Sequence, residues 1–331
     1  MATCRIGFVG AGGVAARHAG MLSGFDDVRL VAVTDPDRQR AESLAGNHRM
    51  RVVPDVDALL AEGLDAVYVC VPPFAHGPAE RAVAAAGLAL FVEKPLGLDE
   101  QVATGIADAV GAAGVVTAVG HHWRYSAAVE NAVRLLADRP VRLVTGAWLD
   151  KVPPVGWWAT RGHSGGQIVE QAVHVLDLAR LLAGEVSRVC AMADGVPPAV
   201  AGSPDADVDG ATAAVLRFRD GAVGTLAATC QLSWKHRAGI EVYADGLALT
   251  LTETHLLVTD ERGERAVQAV RPDEAKRAAD RAFVDAVLGT GADIRAPYRQ
   301  ALATHRLACA IARSAADGAA LTIEEETHVA L

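Results

Sequence analysis

Short apolar runs alternate with helix-like segments along the first third of the chain. Arg5–Val9, Val28–Thr34, Ala66–Val71, Ala89–Val92 and Val115–Val119 read as strands. Between them, segments reaching about Leu22 and spanning Arg38–Gly46, Pro78–Ala86 and Asp99–Ala113 read as helices. Apolar, β-branched strands separated by helices predict a parallel sheet covered on both faces. The pattern changes after Arg124. A helix over Ala127–Ala137 precedes strand-like runs at Val141–Trp148, Ala211–Phe218, Ala222–Cys230, Gly239–Tyr243, Leu247–Leu251 and Leu256–Thr259. Asp220-Gly221 and Asp245-Gly246 sit between such runs as hairpin signals. Grouped strands predict antiparallel pairing and an α+β domain. The expected fold is therefore an α/β doubly wound parallel sheet over residues 1–122, followed by an α+β domain with an open mixed or antiparallel sheet over residues 123–331.

Composition adds exclusions. The 331 residues exceed one ordinary core, in keeping with two domains. A net charge of −9 argues against a nucleic-acid partner, which would call for a basic face. Cys4, Cys70, Cys190, Cys230 and Cys309 form no C-x-x-C pair and read as reduced, buried thiols. No basic leader precedes the first strand, and no apolar run approaches the roughly 18–20 residues of a membrane span. The expectation is a cytoplasmic protein with no membrane partner. Ala201–Gly210, rich in Gly, Pro and Asp, reads as a surface loop.

The first strand ends in Gly10-x-Gly12-x-x-Ala15. Gly10 permits a tight turn, Gly12 lets backbone approach a pyrophosphate, and Ala15 lets the following helix pack on the sheet. The pyrophosphate would meet free N–H groups at the helix N-terminus. Asp35 ends the second strand at the offset of a ribose-binding acid. Its carboxylate would accept both adenosine ribose hydroxyls and repel a 2′-phosphate, which favours NAD. Arg38 and Arg40 lie close behind. They would pair with such a phosphate and bring NADP into play, or form an exposed helix face. The expected cofactor contacts are Gly10, Ala11, Gly12, Gly13, Val14, Asp35 and Arg38, then Val71, Pro72, His76, Glu93, Lys94 and His122.

Three further segments carry a family resemblance: Val69-Cys-Val-Pro-Pro-Phe-Ala-His76, Glu93-Lys94-Pro95, and Ser164-Gly-Gly-Gln-Ile-Val-Glu170-Gln-Ala-Val-His174-Val-Leu-Asp177. With Ala282–Gly291, Tyr298 and a long helix to about Ala316, nearly the whole chain resembles the Gfo/Idh/MocA oxidoreductases, the group of glucose–fructose oxidoreductase and inositol dehydrogenase. The resemblance implies a Rossmann domain and a second domain with an open mixed sheet. It also implies a lysine at position 94 that bridges cofactor and substrate, and an acid–x–x–x–His pair at 170 and 174 that carries acid/base chemistry. Glu170 stands where many members have Asp, and Ala172 where many have Gly. The longer acid puts the usual inositol or simple-sugar pose in question.

The residues support those roles chemically. Glu93-Lys94-Pro95 follows the fourth strand, at the carboxyl edge where open α/β sheets bind ligands. Proline biases Lys94 to an extended backbone, and its ammonium would polarise the oxygen being oxidised. Glu170 and His174 are four apart in a helix-compatible segment and would share a face, with Asp177 continuing the row. An imidazole near pKa 6.5 moves protons at neutral pH. The expected catalytic residues are Lys94, His174 and Glu170. Arg124, Tyr125, Trp157 and Trp158 are expected to join Glu170 and His174 in binding substrate. Arg124 would take a substrate anion or form an ion pair at the domain junction. The tryptophans would stack on a sugar or pack in the core. His121 and His122 with Glu170 and His174 make a conceivable metal set, but H-E-x-x-H is absent and no metal is expected.

The leading expectation is an NAD(P)-dependent oxidoreductase acting on a sugar, polyol, inositol or sugar derivative. Alternatives are a glycosidase or lyase with transient oxidation and no net redox, and a non-catalytic cofactor-binding regulator. The uncovered sheet face predicts a homodimer or homotetramer.

Overall fold

A computed structural model describes residues 2–199, 204–269, 271–291 and 293–324. Residues 201–203 of the Gly/Pro/Asp-rich stretch lie outside the described residues. The chain divides into two compact units, one of Met1–Tyr125 and Asp273–Leu302, the other of Ser126–Pro272 and Ala303–Leu331. Residues 273–302, read from sequence as part of the second domain, thus pack with the first.

The first unit opens with β1 (Cys4–Val9), α1 (Gly13–Leu22), β2 (Val28–Thr34), α2 (Arg38–His48), β3 (Arg51–Val52) and α3 (Val56–Leu60). It continues with β4 (Ala66–Val69), α4 (Pro78–Ala85), β5 (Ala89–Val92), α5 (Glu100–Ala113) and β6 (Thr117–Val119). The six strands are ordered β3-β2-β1-β4-β5-β6, all parallel. Successive strand residues point to opposite faces, and two cores result. Ile6, Phe8, Tyr68 and Phe91 pack on one face with Ala15, Ala19 and Leu22 of α1. Val67, Val69, Leu90 and Val92 pack on the other with Val83 of α4 and Ile106 of α5. The first core also takes Phe283 and Val284.

The second unit begins with α6 (Ala127–Leu136), β7 (Val141–Leu149), α7 (Arg161–Ser164), α8 (Gln167–Glu170), α9 (Val173–Ala183) and β8 (Val186–Ala193). Then follow β9 (Ala211–Phe218), β10 (Val223–Thr229), β11 (Arg237–Ala244), β12 (Leu247–Thr252), β13 (His255–Asp260) and β14 (Gly263–Ala269). The described chain closes with α10 (Pro272–Leu288), α11 (Tyr298–Asp317) and β15 (Leu321–Thr322). The nine strands run β14-β13-β12-β11-β7-β10-β9-β8-β15. All pairs are antiparallel except β10 with β7, so the sheet is mixed. α9 packs on β7 and β11, and α6 on β12, β13 and β14. In β9 burial alternates strictly: Thr212, Ala214, Leu216 and Phe218 face the core, while Val215 is 58% exposed. Leu143, Val223, Met192 and Tyr243 are exposed as well. All five cysteines are free thiols, but only Cys4, Cys70 and Cys230 are buried: Cys309 is half-buried, and Cys190 is exposed because it pairs with Val215 on the outer face. Among the described residues no helix is long and apolar enough to cross a membrane.

Candidate active site

In the first unit β1 turns into α1 through Gly10-Ala-Gly-Gly13. Gly10 has φ of +95°, and a Cβ there would lie 2.4 Å from the carbonyl oxygen of Cys70, so only glycine fits. At Gly12 and Gly13 a Cβ would meet nothing within 4 Å, and Gly13 and Val14 are exposed. The N-cap of α1 is Gly12, with no side-chain cap and no acid in the first turn. The leading N–H groups and the positive end of the dipole are thus left for an external anion. Asp35 Oδ2 accepts the Ala11 N–H at 2.7 Å, and Oδ1 accepts the Asp37 N–H at 2.7 Å. The acid is pinned beside the turn. An open turn, an uncapped helix and an adjacent carboxylate fit a dinucleotide pyrophosphate and ribose. Arg38 pairs with Glu42 at 2.8 Å and Arg40 with Asp37 at 3.1 Å, both on the exposed face of α2.

After β4, half-buried Val71 and Pro72 lead to buried His76. Its Nδ1 donates to Glu80 Oε1 at 2.5 Å, and Glu80 Oε2 accepts the Gly77 N–H at 2.7 Å. Burial opposes the Glu80 charge, but His76 and the backbone donors outweigh it and hold the carboxyl below its ordinary range. His76 Nε2 is buried without a hydrogen-bond partner among the described residues. An orphaned polar atom at this carboxyl edge fits a hydroxyl-bearing ligand such as a ribose.

After β5 comes Glu93-Lys94-Pro95. Glu93 is buried and Lys94 half-buried. Glu93 Oε2 accepts the Lys94 N–H at 3.1 Å, while Oε1 lies 2.8 Å from His18 Nε2 and 3.4 Å from Arg17 Nη2. His18 Nδ1 lies 2.7 Å from Asp280 Oδ1. Burial disfavours both charges. It is outweighed for His18 by the Asp280 and Glu93 carboxylates, which push its pKa up to about 9. It is outweighed for Glu93 by His18, Arg17 and Lys94, which pull it down to about 2. After β6, His122 is pushed down to about 3 by burial, against the pull of Glu93. It is therefore neutral at physiological pH. Arg124 is buried and donates to the Arg295 carbonyl at 2.8 Å, and the Tyr125 hydroxyl accepts the Arg295 N–H at 2.9 Å.

In the second unit Glu170 and His174 do not share one continuous helix, as the spacing predicts. Glu170 ends α8 and His174 is the second residue of α9. Between them the Ala172 N–H reaches back five residues to the Gln167 carbonyl at 3.0 Å, breaking the α-helical ladder. His174 is buried and stacks on Trp148 with ring centroids 5.8 Å apart. Lys235 Nζ lies 4.6 Å from the Trp148 ring centroid. Asp177 is directed to Thr304, whose hydroxyl donates to its Oδ1 at 2.9 Å. Trp158 is fully buried with Val208 and Cys230, and its Nε1 donates to Glu170 Oε2 at 2.7 Å. It therefore offers no exposed face for stacking on a sugar. Trp157 is half-buried.

Sequence reading passed over His18, Asp280, Glu80 and Trp148. A signal existed for the first two. His18 falls in the buried stripe Ala15, Ala19, Leu22 of α1, and Asp280 in the stripe Ala275, Ala279, Phe283, Val284 of α10. A charged residue in an apolar stripe demands a partner.

Residues 4–121 match a family model described as an oxidoreductase family with an NAD-binding Rossmann fold, and residues 140–249 match the GFO/IDH/MocA C-terminal domain. Between them the two models of this one family take in more than half of the chain. The chain belongs to the GFO/IDH/MocA oxidoreductase family, and residues 4–121 are the part that matches its NAD-binding Rossmann fold. Inositol 2-dehydrogenase of Rhizobium meliloti (strain 1021) is 34% identical over 189 residues, 55% of this chain and 56% of that protein. The alignment thus spans little more than half of that relative. Myo-inositol 2-dehydrogenase of Thermotoga maritima is 28% identical over 277 residues, 79% of this chain and 80% of its own. Among solved structures, GenD2 from gentamicin A biosynthesis, in complex with NAD, superposes with a TM-score of 0.85 at 26% identity. It covers 98% of this chain and 97% of that one.

Proposed function

We propose that this protein is an NAD-dependent dehydrogenase that oxidises a CH–OH group of an inositol, sugar or sugar derivative. The observation that carries the reading is Lys94, held at the carboxyl edge of a sheet whose glycine turn and Asp35 fit a dinucleotide. The names of the inositol 2-dehydrogenases to which the chain is similar support the substrate class. Asp35 favours NAD over NADP, and the engagement of Arg38 and Arg40 in helix-face pairs supports that choice.

When bound, NAD supplies the hydride acceptor at nicotinamide C4. The chain's residues supply the rest. Lys94 donates a hydrogen bond to the reacting oxygen and stabilises its developing negative charge. His174, as neutral imidazole, takes the hydroxyl proton. Its ring plane is set by the stack on Trp148. Glu170, held by Trp158 Nε1, accepts a further substrate hydroxyl. Replacing Lys94 or His174 by Ala lowers kcat by about 10²-fold or more, the scale of general acid–base groups. Steady-state rates with a panel of inositols and sugars test this, and near-parent turnover in both variants would refute the assignment. We also infer that the exposed face bearing Val215 and Met192 joins second copies of the chain.

A further inference from the structure

The first unit buries a chain of charges that the reaction just described does not use. Asp280 of α10, His18 of α1 and Glu93 after β5 are 0%, 3% and 6% exposed. Both ring nitrogens of His18 face a carboxylate, at 2.7 and 2.8 Å, so both carry protons and donate. The ring is enclosed by Tyr68 and Phe91, with centroids 5.3 and 5.0 Å away. The charged or titratable groups that face the triad are Arg17 of α1, 3.4 Å from Glu93, Tyr68 of β4, whose hydroxyl donates to Asp280 at 3.3 Å, and Lys94, His122 and Cys70, which act on Glu93 through their charge or proximity. The two carboxylates thus face three cations: His18 itself, Arg17 and Lys94. Buried ion groups are usually no more stabilising than apolar packing of the same volume. A network of this kind in an aromatic core calls for a task beyond stability.

Its outer end points to that task. Glu93 Oε2 accepts the backbone N–H of Lys94. The carboxylate is seated against Gly120, where a Cβ would lie 2.6 Å from it. Any side chain at position 120 would push Glu93 away. Glu93 is thereby held from three sides: by the imidazolium behind it, the bare backbone of Gly120 beside it, and the Lys94 N–H ahead.

We propose that His18 and Asp280 are positioning residues for Lys94: the imidazolium, braced by Asp280, fixes the Glu93 carboxylate, and Glu93 fixes the backbone from which Lys94 projects. The proposal rests on the reading that Lys94 acts on substrate. Its direction of coupling is specific. Loss of His18 or Asp280 misplaces the lysine and slows the reaction without removing the glycine turn or Asp35, which bind the dinucleotide.

A double-mutant cycle on the full chain tests it, using NAD and whichever inositol or sugar of the panel is oxidised fastest. His18→Ala and Asp280→Asn are expected to lower kcat about tenfold while the Kd for NAD stays within about twofold. His18→Ala combined with Lys94→Ala is expected to be no slower than Lys94→Ala alone, because His18 acts through that lysine. Additive losses in the double variant, or an NAD Kd that rises in step with the fall in kcat, would overturn the proposal. Should His18→Ala fail to fold, His18→Gln keeps a donor to Glu93 but loses the bond to Asp280; parent kcat in that variant overturns the proposal equally. A second readout needs no turnover. With ¹⁵N-labelled histidine in the ligand-free chain, the ring assigned by its loss in His18→Gln keeps both protons between the ordinary 6.5 and about 9. A neutral His18 in that window contradicts the geometry. Full activity of Lys94→Ala would instead bring down the underlying reading, which separates the two failures.

Discussion

At the scale of single residues, the candidate chemistry depends on how neighbours hold a few charged side chains. Glu170 is tied by the Trp158 indole, itself fully buried. Trp158→Phe keeps the ring's packing but removes the donor to the carboxylate. A hydrogen bond to a charged group is worth about 1.5–3 kcal/mol. Half-exposed Glu170 draws part of that back from water, so a loss of about 1 kcal/mol in urea unfolding is expected, with a raised KM if Glu170 contacts substrate. His18 gives a pH dependence with a defined sign. Its pKa is raised from 6.5 to about 9 on folding, so its contribution is complete below 6.5 and disappears as pH rises through about 9. The Tm of the parent therefore falls more steeply than that of His18→Gln between about pH 7 and about pH 10. Parallel curves for the two proteins would show that His18 is neutral throughout.

At the scale of elements, the alternation of apolar runs and helical segments located five of the six parallel strands, because each of those five is mostly apolar. What escaped has physical reasons. β3 is two residues long with both exposed. β8 carries a register shift between Val186 and Arg188, which breaks the period-two alternation that marks a strand. β14 begins with Gly263, Glu264 and Arg265 and closes one end of the sheet, where charged residues guard the edge. Lys94 and His174 can be proposed from the sequence because each sits in a compact motif. The His18–Asp280 pair cannot, since it joins residues 262 positions apart. It forms only because α10 returns to the first unit; the buried stripes around His18 and Asp280 show that each needs a partner, but local patterning does not say which. The break between α8 and α9 was likewise hidden, as Gln171 and Ala172 are compatible with a continuous helix.

At the scale of the whole molecule, the second unit's sheet has one face covered by α6 and α9 and another that exposes Val215, Met192, Leu143, Val223 and Tyr243. If that face joins copies of the chain, Val215→Asp lowers the mass measured by light scattering after gel filtration, with the circular dichroism spectrum unchanged. An unaltered mass would place the interface elsewhere. The central claim is that Lys94 and His174 make bound NAD an oxidant for a hydroxylated ring. The most direct measurement is NADH absorbance after mixing the chain with NAD and a panel of inositols, sugars and sugar nucleotides, run in parallel with Lys94→Ala and His174→Ala. The account predicts NADH formation by the parent with at least one member of the panel, and rates lower by about 10²-fold or more in both variants. Glycoside cleavage without accumulation of NADH, or parent-like NADH formation by both variants, would contradict it.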